Sequence, residues 1–252
     1  MNHELEKLAD ICHANLKKCS DCKEYLTDRG IGSDIIEKYK LGYFPQNLDT
    51  LLKYVSKENL IKNSIIKSND TSDFRDYHYL IIPFLDEYGN IIGISGRSLM
   101  KSEDLSYFGI PKYKNSSFNK SFYLFGLDKA LPYILKKKEV WIVEGYFDQI
   151  SLYKNGVKNC VALSGTNFSS NHFLKLKRYC EKINFLFDND DAGRINAERT
   201  FKKEFDFSTS MNFYEFSNYK DVDEFLQNDT IQNLKNSLRK IDFGEFKDGT
   251  CI

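Results

Sequence analysis

The chain has 252 residues and a mass of 29.4 kDa, enough for one large domain or two small ones with sizeable cores. Basic and acidic residues balance at 36 each, which excludes the global positive field of a histone-like protein, and 41% apolar with 29% charged residues excludes a disordered chain. The longest apolar runs, such as Tyr79 to Leu85 and Val140 to Val143, are too short to cross a bilayer. Met1-Asn2-His3-Glu4 does not begin an export signal, so a cytoplasmic protein with no membrane partner is expected.

In chain order, the residues up to about 75 read mainly helical, with Gly30 and the Gly42-Tyr-Phe-Pro45 stretch as breakers. Leu5, Leu8, Ile11, Leu16 and Tyr25 suggest one continuous helix with an apolar face. Cys12, His13, Cys19 and Cys22 fall on it at ligand-like spacing. No second Cys-x-x-Cys follows, so packing thiols are expected there and at Cys160, Cys180 and Cys251, with no structural zinc. Tyr79 to Leu85 and Ile91 to Ser95 flank Asp86-Glu-Tyr-Gly-Asn90 and read as a β-hairpin. The polar segment that follows, to about Asn119, reads as irregular.

Charge changes along the chain. Residues 1–138 carry 21 basic and 18 acidic side chains, and residues 139–252 carry 15 and 18. A basic first part therefore precedes an acidic second part, an arrangement suited to a polyanion held by metal. Lys136 to Lys138 read as plain surface charge.

From Val140 the pattern alternates. Strands are expected at 140–143, 159–163, 183–187 and 211–214, and helices at 147–154, 169–179 and 192–203, the second started by a serine cap. This β-α rhythm implies a mostly parallel sheet, which places functional residues at the carboxyl ends of its strands. Three acidic groups fall just past those ends: Glu144-Gly-Tyr-Phe-Asp148, Asp188-Asn-Asp-Asp191 and Asp221-Val-Asp-Glu224. Neighbouring strands lie about 5 Å apart, so Glu144, Asp188 and Asp221 can converge on one site. Converging carboxylates repel one another and suit a hard cation, Mg²⁺ or Mn²⁺, rather than zinc. Gly145 and Gly193 would let backbone approach closely there.

Val143-Glu-Gly-Tyr-Phe-Asp148, Leu163-Ser-Gly-Thr166 and Phe187-Asp-Asn-Asp-Asp-Ala-Gly193 resemble a Toprim domain, and more narrowly the catalytic core of bacterial DnaG-type primases. The upstream half agrees in order: Tyr25-Leu-Thr-Asp-Arg-Gly30, Leu41-Gly-Tyr-Phe-Pro45, Ile82-Pro-Phe84, Gly96-Arg97, Pro111-Lys-Tyr-Lys-Asn-Ser116 and Leu124-Phe-Gly-Leu127. The resemblance runs from about Tyr25 to Leu226. It implies an α/β (α+β overall) chain: a basic mixed N-terminal subdomain at 1–138, a Toprim metal-binding domain at 139–228 with a mostly parallel sheet and flanking helices, and a helical tail at 229–252.

The implied activity is nucleotidyl transfer, in which short RNA primers are made on single-stranded DNA from ribonucleoside triphosphates. Glu144, Asp188, Asp190, Asp221 and Asp223 would hold two or more Mg²⁺ or Mn²⁺ ions, with Glu144, Asp188 and Asp190 catalytic and Asp148 nearby. Arg29, Arg97, Lys112, Tyr113, Asn115 and Lys120 would line the groove for template and nucleotide. The family's zinc-binding and helicase-binding domains are not expected within this chain, so a replicative helicase or a separate zinc-module protein is the implied partner. The Asp-Val-Asp group stands where bacterial members usually carry proline, and His78 where an arginine is common. These departures suit a phage or mobile-element protein, acting in the cytoplasm of a bacterium or infected host. A Toprim nuclease and a non-catalytic single-strand-binding replisome module are the alternatives.

Overall fold

The computed structural model describes residues 3–203, 205 and 209–243, so Cys251 and the end of the expected tail lie outside the described residues. The chain divides into two compact units, Met1–Phe118 and Asn119–Ile252. Among the described residues, no helix is long and apolar enough to cross a membrane.

The first unit opens with α1 (His3–Asn15), whose Leu5, Leu8, Ala9 and Cys12 are buried. The helix does not continue to Tyr25. A single 3-10 turn at Leu16–Lys18 and extended Cys19 interrupt it, and Cys19 Sγ caps the next helix, α2 (Ser20–Asp28), by accepting from the Cys22 N–H at 3.3 Å. The apolar spacing persists across the break because α2 buries its own Cys22 and Leu26, as α1 buries Leu5, Leu8 and Cys12. Cys12, Cys19, Cys22, Cys160 and Cys180 are buried free thiols, and burial pushes the thiols of Cys12, Cys22, Cys160 and Cys180 up.

Next come α3 (Ser33–Tyr39), β1 (Gly42–Tyr43), α4 (Asp49–Leu52), α5 (Lys57–Lys62) and α6 (Asp73–Asp76). The hairpin forms as expected from β2 (Leu80–Leu85) and β3 (Ile91–Arg97). Asp86 Oδ1 accepts from the N–H groups of Tyr88 and Asn90 at 2.9 Å each, and Gly89 takes the positive φ that closes the turn. The segment expected to be irregular instead carries α7 (Ser102–Phe108) and β4 (Tyr113–Asn115). β4 is a third partner of the hairpin, giving an antiparallel sheet of order β1-β2-β3-β4. Three residues are too few to show a period, so only the pairing with β3 defines the strand.

The second unit contains α8 (Leu127–Lys137), β5 (Glu139–Val143), α9 (Tyr146–Lys154), β6 (Cys160–Ala162), α10 (Ser170–Leu176) and β7 (Lys182–Leu186). α11 (Asp191–Phe201), β8 (Ser210–Glu215), α12 (Val222–Asn228), α13 (Ile231–Ser237) and β9 (Arg239–Lys240) complete it. The sheet order is β6-β5-β7-β8-β9, parallel except for β9. This is the mixed α/β architecture with a largely parallel second sheet that the strand-helix rhythm predicts.

Two boundaries differ from expectation. The units divide at Phe118, earlier than residue 138, because Leu127, Ala130 and Ile134 of α8 are buried in the same core as Val140, Ile142, Ile183 and Phe185. The described tail is not wholly helical: after α13 the chain turns into β9, which pairs with β8 through Tyr214–Lys240 and Glu215–Arg239.

Candidate active site

The acidic groups gather at the carboxyl ends of β5 and β7 and at the start of α12. Glu144 directly follows β5. Its Oε1 accepts from the Asp188 N–H at 3.3 Å and its Oε2 from Asn196 Nδ2 of α11 at 3.1 Å. The side chain of Glu144 thus bridges two strand ends that are 44 residues apart in sequence. Burial, helped by the Asp190 charge, raises its pKa above the usual carboxylate range.

Gly145 opens α9, and its N–H donates to Asp148 Oδ2 at 3.1 Å. Asp148 is buried. Its other oxygen accepts from the Asp223 N–H at 2.9 Å, joining the first and third acidic groups. Burial first, then the charge of Asp221, pushes Asp148 well above its ordinary pKa. A Cβ on Gly145 would lie 2.4 Å from Asp148 Oδ2, so glycine permits this tie.

Asp188 stands beyond β7, half-buried. Among the described residues its carboxylate makes no hydrogen bond or ion pair. Burial, followed by the charges of Asp148, Glu144, Asp221 and Asp190, drives its pKa far upward. Asp190 caps α11, accepting from the Gly193 N–H at 2.9 Å, and its other oxygen is 3.5 Å from Lys220 Nζ. Gly193 meets the Asp188 turn so closely that a Cβ would fall 2.0 Å from the Asp188 carbonyl oxygen. Asp221 caps α12 through the Glu224 N–H at 2.8 Å.

Asp223 faces inward rather than toward the strand ends. Its carboxylate accepts from Ser151 Oγ at 2.5 Å and from Gln227 Nε2 at 2.9 Å. Sequence reasoning had no means of finding this, because Asp221 and Asp223 look equivalent until α12 is docked on α9.

The result is a set of oxygen-only donors under mutual repulsion, with Lys220 beside Asp190 and Arg194 beside Asp191. As placed, no three described His, Cys, Asp or Glu side chains close into a metal cage by themselves. The chemistry of the donors suits a hard divalent ion, because such an ion offsets the burial and, after it, the mutual repulsion that raise Asp148, Asp188 and Glu144.

Lys120 belongs to this second unit. Its Nζ donates to the Ser164 carbonyl at 2.6 Å, and the Ser164 N–H donates to the Glu144 carbonyl at 2.7 Å. Burial lowers the Lys120 pKa. Ser164 and Gly165 both have positive φ, so the loop after β6 turns sharply beside Glu144.

The other basic candidates lie in the first unit. Arg97 ends β3, pairs in register with Tyr113 and donates from Nη1 to its hydroxyl. Tyr25 is a partner that sequence reasoning missed: Arg29 lies 3.8 Å and Arg97 4.8 Å from its ring centre. The only advance signal was its place in the Tyr25-to-Gly30 motif. Asn115 accepts from Ser95 Oγ across the β3–β4 pair. Lys112 is exposed, while Lys114 is committed to Asp73 at 3.2 Å.

Comparison with known proteins gives two family matches: DNA primase catalytic core, N-terminal domain, over residues 11–131, and Toprim-like over residues 141–226. The chain belongs to the DnaG-type primase catalytic cores. A DNA primase of Lactococcus lactis is 32% identical over 203 residues, covering 77% of this chain and 31% of that one. The solved zinc-binding and RNA polymerase domains of the Aquifex aeolicus primase match with a TM-score of 0.77 at 28% identity, over 94% of this chain and 60% of that one. A DnaG primase catalytic domain bound to single-stranded DNA shares the fold, with a TM-score of 0.76 at 22% identity, over 94% and 82%. The chain spans less than half the length of the curated relatives it matches.

Proposed function

We propose that this chain is the nucleotidyl-transfer core of a DNA primase, joining ribonucleotides on a single-stranded DNA template. The observation that carries the reading is the Glu144–Asp188 bridge, which ties the first two acidic groups of a Toprim sheet together within a DnaG-type chain. Glu144, Asp188, Asp190 and Asp221 would hold Mg²⁺ or Mn²⁺, with Asp148 and Asp223 behind them. Such ions neutralise a triphosphate and favour attack by a ribose hydroxyl. Lys120 would meet phosphate beside Glu144. Arg29, Arg97, Lys112, Tyr113 and Asn115 would hold template and nucleotide, with Tyr25 keeping the two guanidiniums in place. Cytoplasmic action, and recruitment by a helicase or by a separate zinc-module protein, complete the proposal.

The test is a gel assay of the purified chain with single-stranded DNA, labelled ribonucleotides and Mg²⁺ or Mn²⁺, run alongside a preannealed primer–template. New oligoribonucleotides, or extension of the annealed primer, are expected. Degraded template with no new product would assign the site to nuclease chemistry.

Two further results are expected. Lys112→Ala should weaken DNA binding and lower the slope of log K against log salt by about one; an unchanged slope would remove Lys112 from the phosphate contacts. The second concerns pH. Carboxyls with raised folded pKa values favour the protonated folded state, so the stability they allow is greatest at low pH. It is lost progressively as pH climbs from the ordinary aspartate value of about 4 toward their raised values. Mg²⁺ should reverse that loss. The rise in melting temperature on adding Mg²⁺ should therefore be larger near about pH 8.5 than near about pH 6. An equal rise at both would mean that these carboxylates do not hold the ion.

A further inference from the structure

The two faces of the second sheet differ. Val140, Ile142, Ile183 and Phe185 point to one side and are covered by α8, α10 and α11. On the other side, Trp141 stands beside Asn184 in register, and the polar groups run on across the strands. Asn212 Nδ2 donates to Asn184 Oδ1 at 3.0 Å, and Asn184 Nδ2 to Glu139 Oε1 at 2.8 Å. A parallel sheet ordinarily buries both faces under helices. Here α9 and α13 leave a gap, and Trp141 and Tyr214, with ring centres 5.2 Å apart, are only half-buried.

The gap is an open cleft of about 110 Å³. That is of the order of the cavities that take up one small ring or branched aliphatic group. Trp141, Val157, Leu186 and Leu234 line its wall; Lys137 and Lys235, both exposed, stand at it, and no carboxylate is among its lining residues. Apolar walls with lysines and no acids are complementary in charge and polarity to one kind of occupant.

We infer that this cleft docks an acidic, amphipathic segment of a partner protein, with an aliphatic side chain in the cleft and carboxylates on Lys137 and Lys235. Nucleic acid fits the cleft poorly. Its walls are mostly aliphatic, Trp141 is already set against Tyr214, and two lysines make a short track for a polyanion. The site is separate from the acidic edge and does not depend on the proposed catalysis.

Trp141 is the chain's one tryptophan, so its emission reports the cleft directly. The probe is a synthetic helical peptide free of aromatic residues, with leucines at i and i+4 flanked by glutamates. Its controls carry lysines for the glutamates, or serines for the leucines. The acidic leucine peptide should shift Trp141 emission to the blue saturably, at least about tenfold more tightly than either control. Lys235→Glu, at an exposed position, should reverse the charge preference, and Lys137→Glu should weaken the acidic peptide in the same direction. Primer extension, if present, should be unchanged in both variants. Absence of a saturable shift up to about 1 mM peptide, equal response to acidic and basic peptides, or displacement by a short single-stranded oligonucleotide would each overturn the inference.

Discussion

Asp188→Asn should reduce primer synthesis by about 10³-fold or more while leaving DNA binding nearly intact. The carboxylate sits half-buried among Glu144, Asp148, Asp190 and Asp221, and it makes no hydrogen bond or ion pair with a described residue. It contributes nothing local that would offset its repulsion, so an uncharged isostere removes a cost without removing a partner. The metal-free variant should melt at the same temperature as the parent or higher, while Mg²⁺ stabilises it less. This pairing separates a lost catalytic group from a damaged fold, because a purely structural aspartate would lose both activity and stability. Synthesis retained at parental rates, or a markedly lower melting temperature without metal, would remove Asp188 from the proposed site. Glu144→Gln should behave differently: it keeps the shape but weakens the charge-assisted bond from the Asp188 N–H, so activity loss should come with a small loss of stability.

Gly193→Ala carries the second large effect. The new Cβ would stand 2.0 Å from the Asp188 carbonyl oxygen and 3.0 Å from its nitrogen, both backbone atoms that cannot rotate away. Either α11 lifts or the Asp188 turn moves. Overpacking of this kind costs about 1–3 kcal/mol, which should lower the melting temperature by several degrees. Because Asn196 on the same helix holds Glu144, and Asp190 caps it, the displacement should also disturb the acidic edge and reduce synthesis by about 10²-fold. Gly193→Ala with parental stability and activity would show that the turn relaxes freely and that glycine is not required for the approach.

The acidic edge was legible because strand ends in a parallel sheet follow from local period, and because Glu144, Asp188 and Asp221 each fall just past an apolar run or at a helix start. The same period located β5, β7 and α11 to within a residue or two. It could not locate β4 or β9, whose few residues become strands only by pairing with β3 and β8. It also read α1 and α2 as one helix, since buried apolar positions at helical spacing occur on both sides of Cys19.

Local order along the chain thus determined the elements, their alternation and which carboxylates stand at strand ends, because those depend on backbone period and neighbouring side chains. Tertiary structure alone decided that Asp148 is buried against Asp223, that Asp223 is taken up by Ser151 and Gln227, that Tyr25 meets two guanidiniums, and that one face of the second sheet stays half open. Each of these depends on how one element docks on another far away in sequence. Side-chain direction and burial at such contacts are settled by packing and desolvation, which local period does not encode.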